Sequence, residues 1–322
     1  MLPLPASALQ AEFLQLASAR PQALAEELAQ GLQQPQPRIA PKFLYDALGS
    51  KLFEAITELD EYYPTRTEAL IFERHLDELA QACGPGHTLV DLGAGNCAKA
   101  ARLFDALRPG RYVAVDISAG FVRDALHALQ ARHPQLPMLG LGLDFTAALE
   151  LPPQAGGGTR LMFYAGSSIG NFSPDAALEF LHRVRAAAPG GALLIGVDLV
   201  KPAALLQRAY DDALGVTAAF NLNVLRHANR LLGSDFDLAQ WRHVALFDAA
   251  ASRVEMHLEA RCDLQVRWPG GGLLRRAGER IHTEDACKYT VEGFDGMLRR
   301  AGYTRTRCWT DPQRRFAVFV AH

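Results

Sequence analysis

Five short apolar runs recur through the middle of the chain: HTLVDLG at 87–93, YVAVDI at 112–117, MLGLGLDF at 138–145, RLMFYAG at 160–166 and ALLIGVDLV at 192–200. Their apolar residues are continuous rather than alternating, as strands require when both faces of a sheet are covered. Each run is bounded by Gly or Pro, and Ala-, Leu- and Arg-rich stretches of helical character separate most of them. The pattern predicts parallel strands joined by crossover helices, a doubly wound α/β sheet.

The flanks follow other rhythms. Residues 9–32 carry apolar positions at helical spacing interrupted by Pro21, then QQPQPRIAPK reads as an extended linker, and 65–83 reads as a Glu- and Leu-rich helical stretch running into the turn GPGH. After Pro202 the chain predicts a helical segment ending near Tyr210, a helix over NLNVLRHANRLL, and apolar/polar alternation on both sides of PGGG, the mark of an antiparallel hairpin. A helix over VEGFDGMLRRAGY and strands near TRTRCW and RFAVFVAH then return to the first sheet, closing it with an antiparallel edge. Two units are expected: 65–200 with 287–322 forming the sheet domain, and 1–64 with 201–286 forming a second, mixed α+β domain.

Charge narrows the choice of partner. The 33 Lys and Arg against 35 Asp and Glu leave a net charge of −2, which gives no electrostatic reason to expect nucleic acid or an anionic membrane. The 5 cysteines are scattered, with no C-x-x-C pair, so neither a disulfide framework nor a metal site is expected. Without a leader-like N-terminus or an apolar stretch approaching about 18 residues, the reading is a cytoplasmic monomer acting on a small molecule.

The segment VDLGAGN places Gly93 and Gly95 at the end of the first parallel strand, where missing side chains let backbone N–H groups approach a nucleotide. Asp116 ends the next strand, near the offset of about 20 residues at which a carboxylate accepts from ribose hydroxyls. Asp144 and Phe145 end the third, where an acidic group can accept from an adenine amine; helix capping is the plainer role for Asp144. Gly93, Gly95 and Ala98 also satisfy a G-x-G-x-x-A dinucleotide fingerprint, so a nicotinamide dehydrogenase competes. Asp91, Asn96 and Lys99 around the turn favour a nucleoside sulfonium instead.

Five segments, KFLYDALGSKLFEAITELDEYYPTRTE, DLGAGNCAK, YAGSSIGNF, AYDDALGVTAAFNLNVL and IHTEDACKYT, resemble the histidine-specific Nα-methyltransferase family of ergothioneine biosynthesis and span residues 42–290. The resemblance implies a Rossmann-like class I methyltransferase sheet with a reversed last strand beside a substrate-binding domain. It implies S-adenosylmethionine (SAM) as cofactor, lying over Gly93 and Gly95 and lined by Lys99, Asp116, Asp144 and Phe145. It further implies an amino-acid cavity built from Tyr45, Tyr62, Asn171, Tyr210, Met256 and Glu284, with Asn171 and Tyr45 nearest the chemistry. By themselves the tyrosines and Met256 read as interfacial or core residues, and Asn171 as a turn residue. Glu284 is the residue suited to an imidazole N–H, since an apolar substrate would leave its buried carboxylate unmatched.

The chain departs from the family at Ala286, where a serine hydroxyl commonly helps hold the imidazole. The expected reaction is conversion of L-histidine to its Nα-trimethylated betaine, with another aromatic or heteroaromatic amino acid as the alternative substrate. A SAM-binding sensor without turnover is the non-enzymatic alternative.

Overall fold

The computed structural model describes residues 9–16 and 21–322. Among the described residues thirteen strands run in chain order: β1 (Glu12–Gln15), β2 (Thr88–Leu92), β3 (Arg111–Asp116), β4 (Met138–Gly142), β5 (Arg160–Tyr164), β6 (Ala192–Asp198), β7 (Trp241–Asp248), β8 (Arg253–Ala260), β9 (Leu264–Trp268), β10 (Gly271–Arg275), β11 (Arg280–Cys287), β12 (Thr306–Thr310) and β13 (Phe316–Ala321). Eight of them form one sheet in the order β1-β4-β3-β2-β5-β6-β13-β12. β1 to β6 pair in parallel, whereas β13 runs antiparallel to both β6 and β12.

Every residue of β2, β4, β6 and β13 is buried, because helices and apolar clusters cover both faces. This is why their sequences are continuous apolar runs. The strand order reverses direction at β2, with β3 on one side and β5 on the other. The crevice at the carboxyl ends of these strands is where an open α/β sheet admits a ligand.

The smaller unit has its own core. An antiparallel sheet of 3 strands, β11-β8-β7, packs with helices Pro21–Leu32, Ala47–Thr57, Ala203–Tyr210 and Val216–Leu232 around Leu28, Phe43, Phe220, Trp241 and Leu258. β9 and β10 form the expected hairpin across the glycines, from Gly271 opposite Trp268 to Arg275 opposite Leu264.

Three local expectations are corrected. Residues 12–15, read as helical, form edge strand β1 of the larger sheet, so this segment sits with the sheet domain and not with the rest of 1–64. Glycines in β4 admit it: a Cβ on Gly140 would lie 2.5 Å from the Phe13 ring, and one on Gly142 would lie 2.4 Å from the Gln15 amide. The stretch 65–83 is two helices, Tyr63–Arg74 and Leu76–Cys83, separated at His75. β4 stops at Gly142, which puts Asp144 and Phe145 in the loop beyond it. β7 was not anticipated. Among the described residues no helix is long and apolar enough to cross a membrane.

Candidate active site

Gly93 and Gly95 leave β2 with φ of 73° and 54°, the left-handed region that a side chain disfavours. The turn is held by Asp116 at the end of β3: Gly95 N donates to Oδ2 at 2.9 Å and Ser118 N donates to Oδ1 at 2.8 Å. Burial pushes the Asp116 carboxyl up from its usual range, against those hydrogen bonds. A Cβ on Gly95 would meet no atom within 4 Å, and one on Gly93 would lie 3.7 Å from the Phe145 ring. The loop therefore presents an open, backbone-lined face beside an aromatic ring and a carboxylate that still has lone pairs to offer.

Lys99 and Asp144 lie in the same region but are engaged with protein partners. Lys99 Nζ donates to Glu68 Oε2 at 2.8 Å, and Glu68 Oε1 accepts from Gly166 N at 2.7 Å. Asp144 accepts from Thr146 and, at 3.1 Å, from Lys42 Nζ, which also pairs with Glu27 at 2.8 Å. Partial burial works to raise the Asp144 carboxyl, yet the Thr146 and Lys42 bonds hold it below its usual range.

Next to this crevice is a cavity, partly open to solvent, and all six residues expected to hold an amino acid line it: Tyr45, Tyr62, Asn171, Tyr210, Met256 and Glu284. Phe53, Phe220, Asp198 and the Gly166–Ser168 turn are also among its walls. Each lining side chain arrives by a separate route. Tyr45 follows a one-turn helix at Pro41–Leu44, Tyr62 immediately precedes Tyr63–Arg74, and Tyr210 ends Ala203–Tyr210. Met256 on β8 and Glu284 on β11 are direct cross-strand neighbours. Asn171 lies in the turn after β5 and donates from Nδ2 to Glu284 Oε1 at 2.9 Å. Ala286, two residues along β11 from Glu284, is buried in the core of the smaller unit, opposite Val254, and is not a wall of the cavity.

The cavity and the glycine crevice share walls. Gly166 lies so close to Lys99 that a Cβ would sit 2.8 Å from its Nζ. The Tyr45 carbonyl accepts from Ser118 Oγ at 2.9 Å, two residues from Asp116.

Burial dominates the electrostatics. It drives Glu284 up to about 7, against the nearby Lys288 ammonium and the Asn171 hydrogen bond. Tyr45, Tyr62 and Tyr210 are pushed well above the ordinary phenol value, by burial first and then by neighbouring tyrosines and carboxylates, so all three stay neutral phenols.

Several buried ions around this site escape sequence reasoning. Glu68 is 1% exposed at its side chain, as is Asp198, which pairs with Lys201 at 2.5 Å and Lys288 at 2.9 Å and accepts from Tyr63 at 2.7 Å. An acidic residue ending the apolar run GVDLV was the one available signal for Asp198. Glu68 and Lys288 carry none, since charged residues on a helix or at a strand end are ordinarily solvated.

Residues 24–322 match the sequence family described as histidine-specific methyltransferase, SAM-dependent. The chain belongs to that family. It is similar to the histidine N-alpha-methyltransferase of Mycolicibacterium smegmatis, 42% identical over 93% of this chain and 95% of the relative. The histidine N-alpha-methyltransferase of Mycobacterium tuberculosis is 40% identical over 93% and 94%. A more distant relative, the 4-dimethylallyltryptophan N-methyltransferase of Arthroderma benhamiae, is 26% identical over 85% and 86%. Membership of the SAM-dependent family decides between the two readings of the glycine turn: the chain is a methyltransferase whose cofactor is S-adenosylmethionine, and the dehydrogenase reading falls.

Proposed function

We propose that this family member transfers methyl groups from SAM to the α-amino nitrogen of L-histidine, in three turnovers, to give the Nα-trimethylated betaine hercynine. The observation that carries the reading is the single cavity in which Asn171 and Glu284 are hydrogen-bonded beside Tyr45, Tyr62, Tyr210 and Met256, against the wall of the glycine crevice. In this reading 65–200 and 287–322 hold the cofactor, and 21–64 and 201–286 supply most of the amino-acid site, as a cytoplasmic monomer.

When bound, the cofactor supplies a methyl group on a positively charged sulfur, which needs no further activation. Gly93 and Gly95 would admit it closely, Asp116 would accept from its ribose hydroxyls, and Asp144 and Phe145 would hold the adenine. Lys99, fixed by Glu68, orders the crevice wall at Gly166.

Glu284 accepts the imidazole N–H, and Met256 packs against the ring. Asn171, whose nitrogen is committed to Glu284, keeps its carbonyl oxygen free to accept from the α-amine. Tyr45 stays a phenol, so it orients the amine or a neighbouring water and can move a proton only by relay, accepting one as it gives up its own. Catalysis rests on alignment and the exclusion of bulk water, effects that together supply several kcal/mol.

Ala286 and the tryptophan-type relative favour a second reading, in which another aromatic amino acid is methylated. Incubating the protein with SAM and an equimolar pool of free amino acids, then weighing the products, separates the two. Histidine heavier by up to three methyl groups supports the proposal; methylated tryptophan or tyrosine in its place supports the alternative, and no product supports a sensor.

A further inference from the structure

Lys288 immediately follows β11 where the chain crosses from the three-stranded sheet to the larger one. Its backbone is clamped on both sides: Lys288 N donates to Ser252 O at 2.7 Å, Ser252 Oγ donates to Lys288 O at 3.0 Å, and the next residue, Tyr289, donates from N to Asp198 O at 3.0 Å. The side chain, 1% exposed, is not a wall of the cavity. It runs behind Tyr210, with Nζ 4.7 Å from the ring centroid, and donates to the Tyr210 hydroxyl oxygen at 2.9 Å. The same ammonium pairs with Asp198 Oδ2 at 2.9 Å.

A phenol oxygen that accepts from an ammonium keeps its own proton for another partner. Among the described residues no protein acceptor takes that proton, and Tyr210 lines the cavity, which leaves the proton available to a group bound there. The donor is fixed from its other end as well. Asn221 Nδ2 lies 2.9 Å from His243 Nδ1, and His243 Nε2 lies 2.8 Å from the Tyr210 carbonyl. With the Asn221 amide donating to Nδ1, the ring carries its proton on Nε2 and donates it to that carbonyl. Two buried lysines, Lys201 and Lys288, flank the Asp198 carboxylate on this side of the cavity.

We propose that Lys288 is a positioning residue: it locks the Tyr210 hydroxyl as a charge-assisted donor into the cavity, where it receives the carboxylate of the amino-acid substrate. This rests on the cavity being the amino-acid site. It gives the substrate a direction, carboxylate toward Tyr210 and side chain toward Glu284, and it sets a requirement for a free carboxylate.

The test measures kcat and KM for L-histidine and for L-histidinamide, whose carboxamide replaces the carboxylate, in wild type, Lys288→Met, Tyr210→Phe and the double variant. Loss of a charge-assisted hydrogen bond corresponds to about tenfold or more in binding. Lys288→Met is expected to raise the histidine KM by about that factor, to change kcat little, to erase most of the preference for histidine over histidinamide, and to add nothing in the Tyr210→Phe background. Should Lys288→Met not fold because Asp198 loses its partner, Asp198→Asn with Lys288→Met removes both charges, and the same loss of preference is expected. A preference unchanged in whichever variant folds, or an equal penalty with and without the Tyr210 hydroxyl, overturns the proposal. A wild type that methylates neither compound overturns the histidine reading, and this inference with it.

Discussion

The Asn171 side chain donates to Glu284 at 2.9 Å, joining the turn after β5 of the larger sheet to β11 of the smaller one. The contact places the group suited to an α-amine beside the group suited to an imidazole, at the seam of the two units. It also fixes the electrostatics of Glu284, because it is one of only two influences that oppose the upward push of burial.

Glu284 gives a pH-dependent stability. Its carboxyl rises from 4.5 to about 7 in the fold, so the folded chain binds a proton that the unfolded chain has released. The stabilising contribution is complete below about pH 4.5 and is lost as the pH rises through 7. Thermal unfolding of Glu284→Gln should match wild type near pH 4 and exceed it at pH 8, by at most about 3 kcal/mol, while the histidine KM rises. An equal gain at both pH values would trace the effect to packing.

Residue 286 tests how far the imidazole site extends. Glu284 and Ala286 share a face of β11, with Ala286 buried in the core just beyond the cavity wall, so a hydroxyl at 286 meets the imidazole only where a ring held by Glu284 extends past that wall. Ala286→Ser is expected to lower the histidine KM by roughly twofold to tenfold, the worth of one hydrogen bond of about 0.5 to 1.5 kcal/mol. An unchanged KM with a lower melting temperature would place residue 286 beyond the substrate.

Tyr45 is a phenol across the working pH range, since burial and Glu284 hold its proton in place. Tyr45→Phe should lower kcat by about a hundredfold or more, the scale of one positioned proton-handling group, and leave the alkaline side of the rate profile where it was. Loss of an alkaline inflection in the variant would make the Tyr45 phenolate the base.

At Gly95 a methyl group would meet no protein atom. Gly95→Ala therefore costs the fold only backbone strain, about 1 to 2 kcal/mol, but it intrudes where the cofactor approaches. Calorimetry should show S-adenosylhomocysteine binding weakened more than tenfold; undiminished binding would put the cofactor elsewhere.

The buried parallel strands were legible because they are sheathed on both faces, which writes itself as unbroken apolar runs. β1 was not: Phe13 and Leu14 fall at positions compatible with a helix, and only the glycines of β4, distant in sequence, reveal that an edge strand can dock there. The cavity residues were legible through family resemblance rather than through spacing, as they come from six separate segments. Glu68 and Lys288 were silent, and Asp198 carried only the weak signal of an acid ending an apolar run, because nothing in a single sequence shows that an ion is buried with its partner 90 residues away, as Lys288 is with Asp198, or 113 away, as Glu284 is with Asn171.

The most direct measurement is a crystal structure of the protein with S-adenosylhomocysteine and L-histidine. The imidazole is expected on Glu284, the carboxylate on Tyr210, and the α-nitrogen facing the cofactor sulfur at roughly 5 Å, a C–S bond plus a near-attack gap of about 3 to 3.5 Å. Histidine bound with its α-amine turned away from the sulfur, or outside the Asn171–Glu284 cavity, would contradict this arrangement.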